Sequence, residues 1–310
     1  MYELKRILVP TDFSRHADEA LEHAMDLGEP YEAEITLLHV DEFAVSVIAP
    51  EEMEEEAVAT FRERVRQRWE ESLQRLSNGM KRRRIQARTL VVPGRAYKVI
   101  VEEAEQRAYD MIVMATRGVT HLSPYLIGST VERVVRLSRQ PVLSVRTAPK
   151  RDGHVSSILC PTDFSPAGNV ALSYALSIAR QNEAPLYIHY ISELERPESR
   201  SEILQRAPRL EEHHPRAEEV RVEYVFDRDV EPSNSIIRFS EDRDVGLIVM
   251  STHGRRGLRR VHIGNNTAEV VRQSTRPVLT VTHPFHKMIF SAPVTTDRRV
   301  PRQEKGFPNA

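Results

Sequence analysis

The sequence predicts an α/β protein of two tandem domains, each a parallel sheet covered by helices on both faces. Three observations carry that expectation. Short apolar runs alternate with segments of helical periodicity in the order β-α-β-α-β-α-β-α-β, the pattern of a parallel sheet with helical crossovers. Runs such as Ile112-Val113-Met114 are apolar throughout, as strands buried on both faces are. The series then starts again, with SILCPTDFSP at 157–166 repeating RILVPTDFSR at 6–15 almost residue for residue.

Arg6 to Val9 is the first strand, ended by Pro10-Thr11-Asp12-Phe13-Ser14, where Asp12 or Ser14 can cap the helix that follows. That helix carries Ala17, Ala20, Leu21, Ala24 and Leu27 on one face and stops at Gly28 and Pro30. Glu34 to Val40 is the second strand. Pro50 and a run of glutamates suit the positive end of a helix dipole. They open a long helix whose apolar stripe is Val58, Phe61, Val65, Trp69, Leu73 and Leu76. Ile85 to Val92 is a third strand, Val99 to Ala108 a helix, and Met111 to Ala115 a fourth strand. A loop holding Gly118 and the turn Ile127-Gly128-Ser129-Thr130 lead into a helix to Arg139, and Val142 to Val145 closes the unit.

In the second copy, Ala171, Leu172, Ala175 and Ile178 restate the first helix. Strands two to five recur at 186–190, 220–226, 247–250 and 277–281. Between its second and third strands, Pro197, Pro208 and Pro215 leave room only for a short or broken helix. Each unit is thus Rossmann-like, with five parallel strands. The expected boundaries are 1–147 and 157–283, with a polar linker at 148–156. Residues 284–310 carry prolines and basic charge without periodicity and read as a flexible tail.

Composition narrows the function. The 310 residues are 40% hydrophobic and 29% charged, enough for two cores, and the net charge of -1 offers no basic field for nucleic acid. One cysteine, Cys160, excludes an intrachain disulfide and a cysteine metal cluster, and its apolar surroundings predict a buried thiol. There is no signal-peptide pattern and no apolar run of membrane-spanning length, so the expected location is the cytoplasm, away from membranes.

Ligands of open parallel sheets bind beyond the carboxyl ends of the strands. Both glycine loops leave such ends, with nine residues between Gly118 and Gly128 and again between Gly254 and Gly264. Each loop opens a helix, whose first N–H groups attract phosphate. Ser129 and Thr130 could add hydroxyls, and Arg117 charge. If strands one and four are neighbours, Asp12 and Asp163 lie beside these loops and suit a base or sugar edge better than phosphate. The plainer alternative is that the glycines only turn the chain and the aspartates only cap helices. There is no G-x4-G-K-[ST] phosphate loop. His213-His214 reads as exposed, and Arg255, Arg256, Arg259 and Arg260 as a solvated face. His39 and His189 are read as equivalent strand residues with satisfied nitrogens. No nucleophile–base–acid set and no metal site are evident.

PTDFS after the first strand, LLHV on the second, and IVM-x-T-x-G-x9-G before the last helix resemble the universal stress protein family, across both repeats. The resemblance implies a tandem member: a stress-response regulator binding ATP or a related adenine nucleotide, with Mg as its companion ion. The family's G-x2-G-x9-G-[ST] motif falls on Ala115, Gly118, Gly128 and Ser129 in the first copy. In the second it falls on Ser251, Gly254, Gly264 and Asn265. Both copies replace the first glycine with a small residue, and Asn265 replaces the final hydroxyl.

The nucleotide residues so implied in the first domain also include Thr11, Asp12, Val40, Met114 and Thr130. In the second they include Thr162, Asp163, Tyr190, Met250 and Asn266, with Tyr190 matched to Val40 as the backbone contact to the base. The resemblance also implies that the last strands pair the domains as a pseudo-dimer, with a homodimer as a further assembly. Two other functions stay open: an interaction scaffold that has lost nucleotide binding, and slow ATP hydrolysis with no assigned catalytic residue.

Overall fold

Residues 4–42, 55–116, 128–146, 155–192, 199–213, 216–253 and 264–282 of the computed structural model are described. The strands of the first repeat are β1 (Arg6–Pro10), β2 (Glu34–Asp41), β3 (Ala87–Pro93), β4 (Met111–Ala115) and β5 (Val142–Val145). Those of the second are β6 (Ile158–Pro161), β7 (Leu186–Ser192), β8 (Val222–Arg228), β9 (Leu247–Ser251) and β10 (Val278–Val281). Together they form one ten-stranded sheet in the order β3-β2-β1-β4-β5-β10-β9-β6-β7-β8. Every pairing within a repeat is parallel. The antiparallel pair β5–β10 joins the repeats, with Leu143 opposite Leu279 near the pseudo-twofold axis. Each repeat thereby covers an edge the other would leave open.

The helices of the first repeat are α1 (Arg15–Gly28), α2 (Glu55–Arg82), α3 (Ala96–Gln106) and α4 (Ser129–Leu137). Those of the second are α5 (Pro166–Gln181), α6 (Arg200–Arg206), α7 (Leu210–His213), α8 (Pro232–Asp242) and α9 (Asn265–Gln273). On one face of the sheet a single core spans both repeats, from Ala20 and Leu73 through Leu143 and Leu279 to Ala171 and Ile203. On the other face there are two cores. Val99, Ile100, Val131 and Val134 pack over the first repeat, and Ile236, Val270 and Val271 over the second.

Several expectations need correction. The apolar stripe of α2 is buried only toward its end, at Leu73 and Met80, while Phe61 is 51% exposed. A helix of 28 residues is longer than the strands it crosses, so its first turns run past the sheet. Strand β3 starts at Ala87 rather than Ile85, and α3 starts at Ala96 rather than Val99. In the second repeat the crossover is indeed broken, into α6 and α7. Ala207 adopts extended backbone (ψ 132), as the residue before Pro208 prefers. The tail at 284–310, Gly118, Gly254 and the four loop arginines lie outside the described residues, as does most of the linker.

The histidines are not equivalent. Pro10 pairs with Leu38 on β2, whereas Pro161 pairs with His189 on β7. The PTDFS motifs fix these prolines as counterparts, so His189 matches Leu38, and His39 matches Tyr190. A shift of one residue along a strand moves a side chain to the opposite face of the sheet. Ile191, not Tyr190, therefore holds the place of Val40.

Candidate functional site

The PTDFS segment builds the same corner twice. Thr11 Oγ1 accepts from Phe13 N at 3.0 Å and Asp12 Oδ1 from Ser14 N at 3.0 Å; Thr162 and Asp163 repeat both bonds. Ser14 and Ser165, rather than the aspartates, cap α1 and α5. Phe13 and Phe164 take left-handed backbone (φ 61 and φ 54), a conformation that disfavours their side chains. The turn brings the Phe13 ring 5.4 Å from Trp69 and 4.8 Å from His39, and the Phe164 ring 5.7 Å from Tyr190. With the corner tied to itself and to rings behind it, the Asp12 carboxylate stays exposed above the strand ends. Together with burial, the larger cause, it raises the Asp18 carboxyl above its ordinary value.

Strands β1 and β4 are neighbours, through Ile7–Met111 and Leu8–Ile112. This is where the chain order of the sheet reverses, and loops on either side diverge to leave a crevice. A cavity of about 290 Å³ opens there. It is lined by Thr11, Asp12, Val40, Met114 and Ala115 from the strand ends, and by Gly128, Ser129 and Thr130 from the start of α4. The pattern in the sequence did not point to the rest of the wall, which includes Leu38, His39, Glu42, Ala96, Ile100 and Val131. These come from elements remote in sequence; the apolar face of α3 was the available signal.

The two helix starts at the cavity differ. Glu42 Oε1 accepts from Ala96 N at 2.8 Å, so a carboxylate already occupies the start of α3. Helix α4 begins at Gly128, which has no side chain with which to cap the first turn. The orphan donors and positive dipole end of α4 are what an anion would meet. Gly128 donates its own N–H to Thr116 O at 2.8 Å, and its φ of -62 is open to any residue. Glycine there keeps the approach clear rather than relieving strain.

In the second repeat, Gly264 donates to Thr252 O at 2.9 Å, and α9 starts at Asn265 and Asn266 without a side-chain cap. Thr162 and Met250 are buried, and Asp163 and Ser251 partly so. Thr267 Oγ1 donates to Ser251 O at 2.9 Å, and Ser251 Oγ to His253 O at 2.6 Å. Tyr190 lies behind the site on the Phe164 side, with Arg206 Nη2 donating to its hydroxyl at 3.3 Å. A Cβ at Gly168, where the first repeat has Ala17, would meet Thr162 Oγ1 at 2.7 Å.

His39 Nδ1 lies 2.9 Å from Thr11 O, whereas His189 is satisfied at one nitrogen only. Burial pushes the Cys160 thiol up to about 12, which leaves it inert. Among the described residues, no group of three or more His, Cys, Asp or Glu could hold a metal ion. Nor is any helix among them long and apolar enough to cross a membrane.

A model of the universal stress protein family matches the chain twice, at residues 3–146 and 154–282. Universal stress protein MJ0531 of Methanocaldococcus jannaschii is 32% identical over 148 residues, covering 48% of this chain and 85% of the relative. Universal stress protein MJ0577 of the same organism is 32% identical over 158 residues, covering 46% and 94%. The crystal structure of a universal stress protein from Archaeoglobus fulgidus matches the fold with a TM-score of 0.73 at 21% identity. The match covers 91% of this chain and 100% of that one.

Proposed function

Because the chain belongs to the universal stress protein family, we propose that it is a stress-response regulator of the cytoplasm whose first repeat binds ATP or a related adenine nucleotide. One observation supports this most: the described residues that the motif assigns to the first repeat line a single cavity beside the uncapped start of α4. A volume of about 290 Å³ is at the small end for ligand pockets and suits the nucleoside part. The phosphates would then extend along the mouth, over Gly128, Ser129 and Thr130.

The division of labour follows from the side chains. Val40, Ile100 and Met114 give apolar walls for a base, and the exposed Asp12 carboxylate accepts from sugar or base donors. Backbone N–H groups of α4, with the Ser129 and Thr130 hydroxyls, donate to phosphate oxygens. A magnesium ion carried by the phosphates would take most of its ligands from them and from water. The boundaries proposed for the two domains stay at 1–147 and 157–283.

Mass spectrometry of small molecules released from freshly purified, denatured protein tests the reading. Adenine nucleotide near one or two per chain is expected, falling by one in Gly128→Val. Valine caps a helix less well than glycine, so the variant's melting temperature should fall modestly, and its circular dichroism should show that the fold is kept. An unchanged stoichiometry would put the nucleotide elsewhere. No nucleotide, and none acquired on adding ATP, would leave a scaffold.

A further inference from the structure

The second repeat replaces apolar residues of the first with a connected polar group. Strand register puts His189 at the place of Leu38 and Asp227 at the place of Val92. The alignment of α8 with α3, both 11 residues long, puts Ser235 at the place of Val99. His189 is fully buried (0% exposed), with Nε2 3.2 Å from Asp227 Oδ2. Ser235 Oγ donates to the same oxygen at 2.7 Å. The carboxylate can only accept, so the proton between it and the imidazole sits on Nε2. In the neutral ring Nδ1 is then an acceptor, and among the described residues it has no partner. Leu38, its counterpart, lines the cavity of the first repeat.

Burial, the largest influence on His189, lowers its pKa and favours the neutral form, while Asp227 acts in the opposite direction. A buried acceptor without a partner is costly and rare, and Nδ1 here is held in one orientation by the carboxylate behind it. Two further apolar residues that line the first-repeat cavity have polar counterparts in the second repeat: Ser251 for Ala115 and Thr267 for Val131. Such a wall fits a ligand that donates.

We propose that His189 sets the ligand specificity of the second repeat's cleft, its Nδ1 accepting a hydrogen bond from an N–H or O–H of a purine nucleoside. Asp227 acts as a positioning residue that sets the tautomer. This rests on the reading that the clefts of this chain take nucleotides. The donor is either the exocyclic amine of the base or a ribose hydroxyl, and the leucine in the first repeat can recognise neither.

The test uses the full chain with Gly128→Val, which silences the first repeat, and follows ATP by calorimetry and the His189 ring nitrogens by NMR. One binding event is expected, with the Nδ1 resonance moving on saturation and Nε2 staying protonated. His189→Leu should weaken that event about tenfold, and His189→Asn, whose side-chain oxygen can stand near Nδ1, should restore part of it. Inosine triphosphate, which lacks the amine, should bind about tenfold more weakly if the base donates; 2′-deoxy-ATP should do so if the ribose does. Binding that is indifferent to His189→Leu, or an Nδ1 resonance that does not move, would overturn the proposal and make His189 a structural residue. No event in Gly128→Val with one event in the unaltered chain would overturn it while sparing the first-repeat site. No event in either protein would remove both.

Discussion

The two faces of the sheet are built on different plans. On the α1, α2, α5 and α6 side one core passes without a break from the first repeat to the second. On the other side each repeat keeps a core of its own, under α3 and α4 or under α8 and α9. Most of the cavity wall beyond the corner residues, including Ile100, Val131 and the start of α4, belongs to the divided side. A shared core makes the repeats depend on each other for stability. A divided one lets their ligand walls diverge, as Leu38 and His189 have.

The largest effect should follow from damage to the shared face. Leu279 is 1% exposed and pairs with Leu143 between the repeats. Leu279→Ala should cost about 2–5 kcal/mol. The loss should appear in hydrogen exchange of both β4 and β9. Faster exchange in β9 alone would break the contrast between the faces.

On the divided face the expected effect is local. Val134 is fully buried in the core beneath α3 and α4, and Val134→Ala should cost about 1.5–3 kcal/mol. Exchange should rise in α3 and α4 while α8 and α9 stay protected. Nucleotide affinity of the first repeat should fall with it. The chain's one tryptophan, Trp69, packs on His39 of the cavity wall, so its fluorescence reports that site alone.

The smallest effect sharpens the comparison through pH. The folded-state pKa of His189 is lowered, by burial first, against a reference of 6.5. The unfolded chain therefore takes up the proton at higher pH than the folded one. Stability from this residue is complete above about pH 6.5 and declines as the pH falls below it, toward the folded-state value. Asp227 faces His189 from β8 and opposes the shift, whereas Arg238 on α8 reinforces it. Asp227 itself is lowered, chiefly by the Ser235 hydrogen bond and His189 acting against burial, and its contribution disappears only below 3.8. Melting of α8 and α9 should thus become acid-sensitive near pH 6 while α3 and α4 do not, and His189→Leu should remove the difference. An equal slope in both repeats would assign it to other groups.

Much of this architecture is legible in the chain. Apolar runs, helical stripes and the repeated PTDFS place the strands and helices, because burial on two faces or one imposes those periods. The corner residues Thr11 and Asp12 and the start of α4 are legible for the same reason: they follow strand ends by a fixed number of bonds. Leu38, Ala96 and Ile100 are less so, since they reach the cavity by packing and not by neighbourhood in sequence. Phe61 shows the limit of periodicity, for a stripe marks a helix without saying how far the sheet beneath it extends.

By itself, then, the sequence determined the element order, the doubling of the unit and the corner from which the cavity is built. All of these depend on local geometry and on residue periods. The tertiary structure alone decided the register between strands, and with it the face each side chain takes. Aligned by letter, LLHV and YIHY make counterparts of His39 and His189. Aligned by the hydrogen bonds of β1 and β6, they differ by one residue and point to opposite sides of the sheet. Register is a property of two strands together, fixed by which backbone groups pair, and no single segment carries that information.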